Sequence, residues 1–289
     1  MRSRHRYRVR ARHAQHARRP GLPIRQDVHG VTLNHVRRGE GEPLLLIHGI
    51  GGEWRSWDPV MDRLAAERDV VAIDMPGFGA SPPLATGLPP GARALAEAVA
   101  EFVRAEVSAG PIDVGGHSLG GWTALELAKL GVARRVTAVA PAGFWTRAEA
   151  AYGRMTLRWT AWIVRHAPGL LSRGYERPST RALLASGQFG HPRRVDPDDL
   201  RRMGDALRGA SGWDDTLRAT TRGRFSGGAQ VQVPVTILWG TRDRLLLPRQ
   251  AARAEAEVPG AELIRLDGAG HFAHWDEPES VIGALLAPG

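Results

Sequence analysis

Between residues 44 and 140 the chain alternates short, wholly apolar runs with longer stretches of helical spacing. Leu44 to Ile47, Val70 to Ile73, Ile112 to Val114 and Val136 to Ala140 are apolar at nearly every position, the pattern of strands buried on both faces. Between them, Trp57 to Arg68 spaces Val60, Met61, Leu64 and Ala65 as one helix face does, and Ala92 to Val107 and Trp122 to Leu130 read as further helices. This alternation predicts an α/β fold with a mostly parallel sheet and helices on both faces. From Phe144 to about Ala229 the strand pattern lapses. Helical stretches are expected near Ala148–His166, Ser179–Leu184, Pro197–Leu207 and Gly212–Thr221, broken by Pro168, Pro178 and Pro192. Strand and helix then resume: Val235 to Trp239, Arg249 to Glu257, Leu263 to Leu266 and Glu279 to Leu286. Upstream, Ile24 to Val28 and Val31 to Val36 flank His29-Gly30 as the arms of a hairpin. Eight strands are expected in all. The predicted division is a basic, unstructured extension (1–23), a core in two parts (24–143 and 230–289) and a helical insertion (144–229) over the carboxyl ends of the strands, where ligands bind in sheets of this kind.

Composition changes this picture little. The chain of 289 residues is 43% hydrophobic, enough for a sizeable core, and has no cysteine. Disulfides, thiolate metal sites and a cysteine nucleophile are thereby excluded. The eleven histidines show no metal-ligand spacing and no H-E-x-x-H, so neither metal nor cofactor is called for. No run of about 18 apolar residues occurs, so no membrane span is expected. The net charge of +9 is local: residues 1–25 hold nine arginines and no acid, and the remainder is balanced. That segment lacks the apolar core of a secretory signal, and the default expectation is a cytoplasmic protein. The arm reads as a solvated extension, or as a contact for nucleic acid or an anionic surface.

One stretch carries chemistry. Gly116-His117-Ser118-Leu119-Gly120 lies between the run Ile112 to Val114 and the helix from Trp122. Turning a strand into a helix within so few residues needs glycine two positions before and after the serine, and leaves the serine in a strained backbone conformation with its hydroxyl exposed. The N–H of Leu119 would then face a developing oxyanion.

Together with four further pieces, this stretch resembles the α/β-hydrolase superfamily, in its serine-nucleophile branch with a helical cap. The resemblance covers about residues 24–287. His48-Gly49-Ile50-Gly51-Gly52 resembles the oxyanion loop after the third strand of that family. Asp74-x-Pro76-Gly77-x-Gly79-x-Ser81 resembles the turn after its fourth. Gly240-Thr241-Arg242-Asp243 and Gly268-Ala269-Gly270-His271 resemble its acid and histidine loops, in the chain order Ser, Asp, His that the fold requires. The resemblance implies Ser118 as nucleophile, His271 as base, Asp243 as the acid that orients it, and the N–H groups of Ile50 and Leu119 as the oxyanion hole.

Other residues read as structural. His48 and His117 would pack beside their loops, and His274 would line the cap interface. Asp74 would order its turn, Asp267 would close a loop, and Asp214 and Asp215 would start a helix. Trp54, Phe144, Trp145, Trp159 and Phe272 are the named candidates for an apolar substrate pocket, beside the other tryptophans of the insertion, Trp162 and Trp213. The expected activity is hydrolysis of a small to medium apolar carboxylic ester through an acyl-enzyme, with no partner beyond the small-molecule substrate and no expectation of oligomeric state. A serine also permits C–C hydrolysis of dienoic ketoacids, cofactor-free haloperoxidation and acyl transfer. A non-catalytic binding protein on the same fold is the reading of another class.

Overall fold

The computed structural model describes residues 32–84 and 90–287. The expected extension (1–23), the first hairpin arm (Ile24 to Val28) and part of the loop before Pro90 lie outside the described residues. Seven strands are described: β1 His35–Arg38, β2 Pro43–Ile47, β3 Asp69–Ile73, β4 Ile112–His117, β5 Ala133–Val139, β6 Val235–Gly240 and β7 Glu262–Leu266. Their order across the sheet is β1-β3-β2-β4-β5-β6-β7. All neighbouring pairs are parallel except β1 with β3. The eighth expected strand is the undescribed hairpin arm. The second arm, expected at Val31 to Val36, forms later, at His35–Arg38, where it pairs with Ile73 through Val70.

The helices of the core are α1 Asp58–Ala65, α2 Ala92–Phe102 and α3 Leu119–Lys129. After five inserted helices come α9 Arg249–Glu257, α10 Ala273–Asp276 and α11 Pro278–Leu286. The central strands are buried on both faces, as their unbroken apolar runs require. Leu45 and Ile47 face a core formed with α2, α3 and α9. Leu44 and Leu46 face a second core formed with α1, α10 and α11.

The inserted helices are α4 Arg147–His166, α5 Pro168–Glu176, α6 Pro178–Ala185, α7 Pro197–Gly209 and α8 Trp213–Arg222. Pro168 and Pro178, expected to break the helical stretches, do separate α4 from α5 and α5 from α6, each as the first residue of the next helix, where a missing N–H costs nothing. Thr146 opens α4 with a reciprocal cap: its hydroxyl accepts from the Glu149 N–H while the Glu149 carboxylate accepts from the Thr146 N–H. Glu149 also pairs with Arg249 and Arg253 of α9, fastening α4 to the core.

Strand order decides where a site can form. From β2 the chain goes to β3 on one side, then returns to β4 on the other. The loops leaving β2 and β4 therefore diverge, and a crevice opens between them at the carboxyl edge.

Candidate active site

Ser118 sits at the junction of β4 and α3 with φ 55° and ψ −115°. A non-glycine residue held there stores about 1–3 kcal/mol of backbone strain. The neighbouring chain maintains it. The Ser118 carbonyl accepts from the N–H of Trp122 at 3.1 Å and of Ala142 at 2.9 Å, and its own N–H donates to Val139 at 2.9 Å. The flanking glycines are required by contact. A Cβ on Gly116 would lie 2.2 Å from the Gly120 carbonyl oxygen, and one on Gly120 would lie 2.2 Å from that of Ile47.

His271 follows β7 and points its Nδ1 at Asp243 Oδ2, 2.8 Å away. The other Asp243 oxygen accepts from the N–H groups of Leu245 at 2.9 Å and Leu246 at 2.8 Å. With its acceptors engaged, Asp243 holds a proton on Nδ1 and leaves a lone pair on Nε2. Ser118 and His271 border one cavity of about 90 Å³. Among the described residues no hydrogen bond joins them.

Ile50 and Leu119, the expected oxyanion donors, flank Ser118. The N–H of Leu119 is the first of α3 and has no acceptor within the helix. Gly49 passes close to the serine: a Cβ there would lie 3.1 Å from that of Ser118. The His48 imidazole fixes this loop. The Met75 N–H donates to its Nε2 at 2.9 Å, so Nδ1 carries the proton and donates to the Gly49 carbonyl at 2.7 Å. Asp74 gathers the adjoining turn, accepting from the N–H groups of Trp54 and Ala80 and from the Asn34 side chain.

Behind His271 lies a stack of buried imidazoles. The His117 ring is 4.6 Å from that of His271 and 4.8 Å from that of His274, and its Nε2–H donates to the His271 carbonyl. Burial pushes His117 well below the ordinary histidine value, and repulsion from His271 adds to the effect. Burial likewise lowers His48 and brings His274 down to about 3. His274 packs on Trp57 at 4.7 Å, in the core rather than at the inserted helices as expected.

The larger cavity is closed on one side by Leu157 and Thr160 of α4, Met203, Ala206 and Leu207 of α7, and Trp213 of α8. Its mouth carries Glu53, Asp58 and Asp199 against Arg55 and Arg202. Burial raises both Glu53 and Asp58 above the ordinary carboxylate range. A second space of about 30 Å³ also borders Ser118, lined by Ile50, Leu119, Trp145, Leu217, Leu245 and Leu246 among others. Of the five named aromatic candidates for the pocket, Phe272 borders the larger space and Trp145 the smaller. Trp54 lies under the Arg55 guanidinium, outside both linings. Phe144 packs in the core against Phe225. Trp159 turns outward and is 62% exposed. Residue type alone does not say which face of a helix is covered. Trp213, expected among the tryptophans of the insertion, does border the cavity, and so does Trp275, which carried no distinguishing signal.

Sequence reasoning also missed Asp276. One of its oxygens accepts from the N–H groups of Gly190 and Gly270, the other from that of His191, at 2.7–2.8 Å. It thereby joins the histidine loop to the segment between α6 and α7. An acid that works on backbone amides, two of the three remote in sequence, leaves no side-chain pattern.

The model of the Alpha/beta hydrolase family matches residues 44–284, most of the chain. The chain belongs to the α/β-hydrolase family. This hydrolase is 32% identical over 274 residues to the dihydrolipoyllysine-residue acetyltransferase component of an acetoin cleaving system from Cupriavidus necator, covering 90% of the present chain and 67% of that protein. It is 23% identical over 261 residues to the (E)-2-((N-methylformamido)methylene)succinate hydrolase of Acinetobacter baylyi, covering 89% and 93% of the two chains. Its fold matches that of the enol-lactonase from Burkholderia xenovorans LB400 with a TM-score of 0.70 at 20% identity, over 88% and 95% of the chains. Among the described residues no group of three or more His, Asp or Glu is placed to hold a metal ion.

Proposed function

We propose that this α/β hydrolase is a carboxylesterase-like serine enzyme acting through an acyl-enzyme, with helices α4–α8 as its lid. The observation that carries the reading is Ser118, strained at the elbow and bordering the same cavity as a histidine whose Nδ1 is held by a fully engaged aspartate. In this reading Ser118 Oγ attacks the ester carbonyl carbon while His271 Nε2 takes its proton, and Asp243 stabilises the imidazolium. The tetrahedral oxyanion lies against the N–H groups of Ile50 and Leu119, each worth about 3–4 kcal/mol in the transition state. His271 then gives its proton to the departing alkoxide, and water, deprotonated by the same nitrogen, releases the acid.

The two spaces around Ser118 support an orientation. The group that protonates the alkoxide is His271, which borders only the larger, charged-mouthed space. The alcohol portion therefore belongs there, and the acyl chain in the smaller slot lined by Trp145, Leu217, Leu245 and Leu246. That slot favours a short apolar acyl group. The mouth argues against a dienoic ketoacid: three acids face two arginines, and both arginines have acidic partners, Glu53 and Asp199. Among the described residues that line the space, neither arginine is left spare for a substrate carboxylate.

The test is turnover of p-nitrophenyl esters of increasing acyl length, beside a ring-cleavage dienoate. The reading expects a short-chain optimum and no dienoate cleavage. Dienoate turnover without ester turnover would replace it with C–C hydrolysis.

A further inference from the structure

Helix α4 is apolar on two faces. Its inner stripe, Ala150, Gly153, Leu157, Ala161 and Val164, faces the core and the cavity. Its outer stripe is also apolar. Met155, Trp159 and Trp162 are 65%, 62% and 51% exposed. The rings of Trp159 and Trp162 stack at 5.3 Å and 13°, and His166 continues the stack on Trp162 at 5.0 Å. The following helices add exposed Leu170, Leu183 and Leu184. A surface helix of a globular protein normally turns polar residues outward. Single exposed apolar residues need no explanation, whereas a stacked aromatic ladder with leucines on adjoining helices marks an interaction surface.

Charge selects the occupant. Helix α4 bears Arg147, Arg154, Arg158 and Arg165. Its acid, Glu149, is buried against Arg249 and Arg253. Arg165 reaches Asp214 at 3.4 Å, but among the described residues Arg154, Arg158 and Arg173 pair with no acid. Two copies of this chain meeting by this face would bring unpaired arginines against one another. An anionic surface would neutralise them.

We propose that the outer face of α4 docks on an anionic lipid surface, with the tryptophan rings at the boundary of headgroups and acyl chains and Arg154, Arg158 and Arg173 on the phosphates. The contact is peripheral, since no helix among the described residues is long and apolar enough to cross a membrane. Leu157 and Thr160 on the opposite side of the same helix line the cavity, so docking sets α4 between the lipid and the site.

The experiment is co-sedimentation of the full chain with vesicles of phosphatidylcholine alone or with about one-third phosphatidylglycerol, beside sedimentation velocity without lipid. Two variants are compared with the wild type: Trp159→Ser with Trp162→Ser, and Arg154→Gln with Arg158→Gln. All four side chains are on the surface, and circular dichroism checks that the variants fold. The wild type should sediment with the anionic vesicles and stay free of the neutral ones. The tryptophan pair should lower partitioning about tenfold or more, and the arginine pair should flatten its salt dependence. Ester turnover in lipid-free buffer should be unchanged in both variants. Three results would overturn the proposal: no binding of the wild type to anionic vesicles; undiminished binding of the tryptophan variant, which retains the Arg-rich residues 1–25 and would then bind by charge alone; or a wild-type dimer that the tryptophan substitutions dissociate, with no lipid binding.

Discussion

On the sheet side of the cavity, every residue of α3 except Lys129 is buried, whereas among the inserted helices α5 buries none of its nine. The sheet side holds Ser118 by three backbone hydrogen bonds and by glycines in contact with neighbouring carbonyls. The inserted helices carry surface pairs three residues apart, such as Arg202 with Asp199 and Arg218 with Asp215. Such exposed pairs contribute little. The two sides meet different requirements. Bond-making groups need fixed geometry, and the candidates for that role lie where packing over-determines the backbone. Groups that shape the cavity lie on elements free to vary.

Substitutions on the two sides should therefore differ in kind. Ser118→Ala should lower kcat for p-nitrophenyl acetate by about four to six orders of magnitude with the fold intact, since triad members act as a unit. A residual rate within about tenfold of wild type would break the comparison at its centre. Gly120→Ala should cost about 3 kcal/mol or more, because its Cβ meets backbone that cannot move aside. Urea unfolding measures this, and a loss under about 1 kcal/mol would mean the elbow is looser than drawn.

Acid should act through the sheet side. The ordinary histidine value is 6.5, and folding brings His274 to about 3 by burial. Between those values the unfolded chain binds a proton that the native chain does not, so stability falls as pH drops below about 6.5. The slope is about 1.4 kcal/mol per pH unit for each such histidine. His274→Phe should flatten the urea-midpoint profile between about pH 6 and pH 4 by that amount, and an unchanged slope would assign acid sensitivity elsewhere.

At the joint between the two sides, Glu149→Gln should cost about 1–3 kcal/mol by weakening the pairs to Arg249 and Arg253. Burial alone would raise the Glu149 carboxyl, but its Thr146 and arginine hydrogen bonds bring it from 4.5 to about 2, so this contribution is present above pH 4.5 and lost towards pH 2. Met203→Ala, on the inserted side, should have the smallest effect: a severalfold rise in KM with kcat nearly unchanged. A kcat loss as deep as that of Ser118→Ala would show that the inserted helices take part in the chemistry.

The same division governs what could be read from the chain. Short apolar runs marked the central strands because both faces are buried, and the glycines around Ser118 marked a turn whose contacts the structure displays. Loop motifs and chain order pointed to Asp243 and His271 as partners, and the structure places the two in hydrogen-bond contact. The inserted helices were harder to read. Pro168 was expected as a break and does separate α4 from α5, but α5 itself, which that proline starts, was not expected. Trp159 looked like a pocket residue and faces outward, because an outward apolar stripe and an inward one have the same spacing. Asp276 was invisible because its partners are backbone amides, two of them some 85 residues away.

The account rests on Ser118 being activated by His271. Reaction with a fluorophosphonate probe, mapped by peptide mass spectrometry and timed in wild type and His271→Ala, tests this most directly. A single adduct on Ser118, formed at least about a thousandfold more slowly in the variant, is the predicted result. No adduct, an adduct on another residue, or equal rates in both proteins would contradict it.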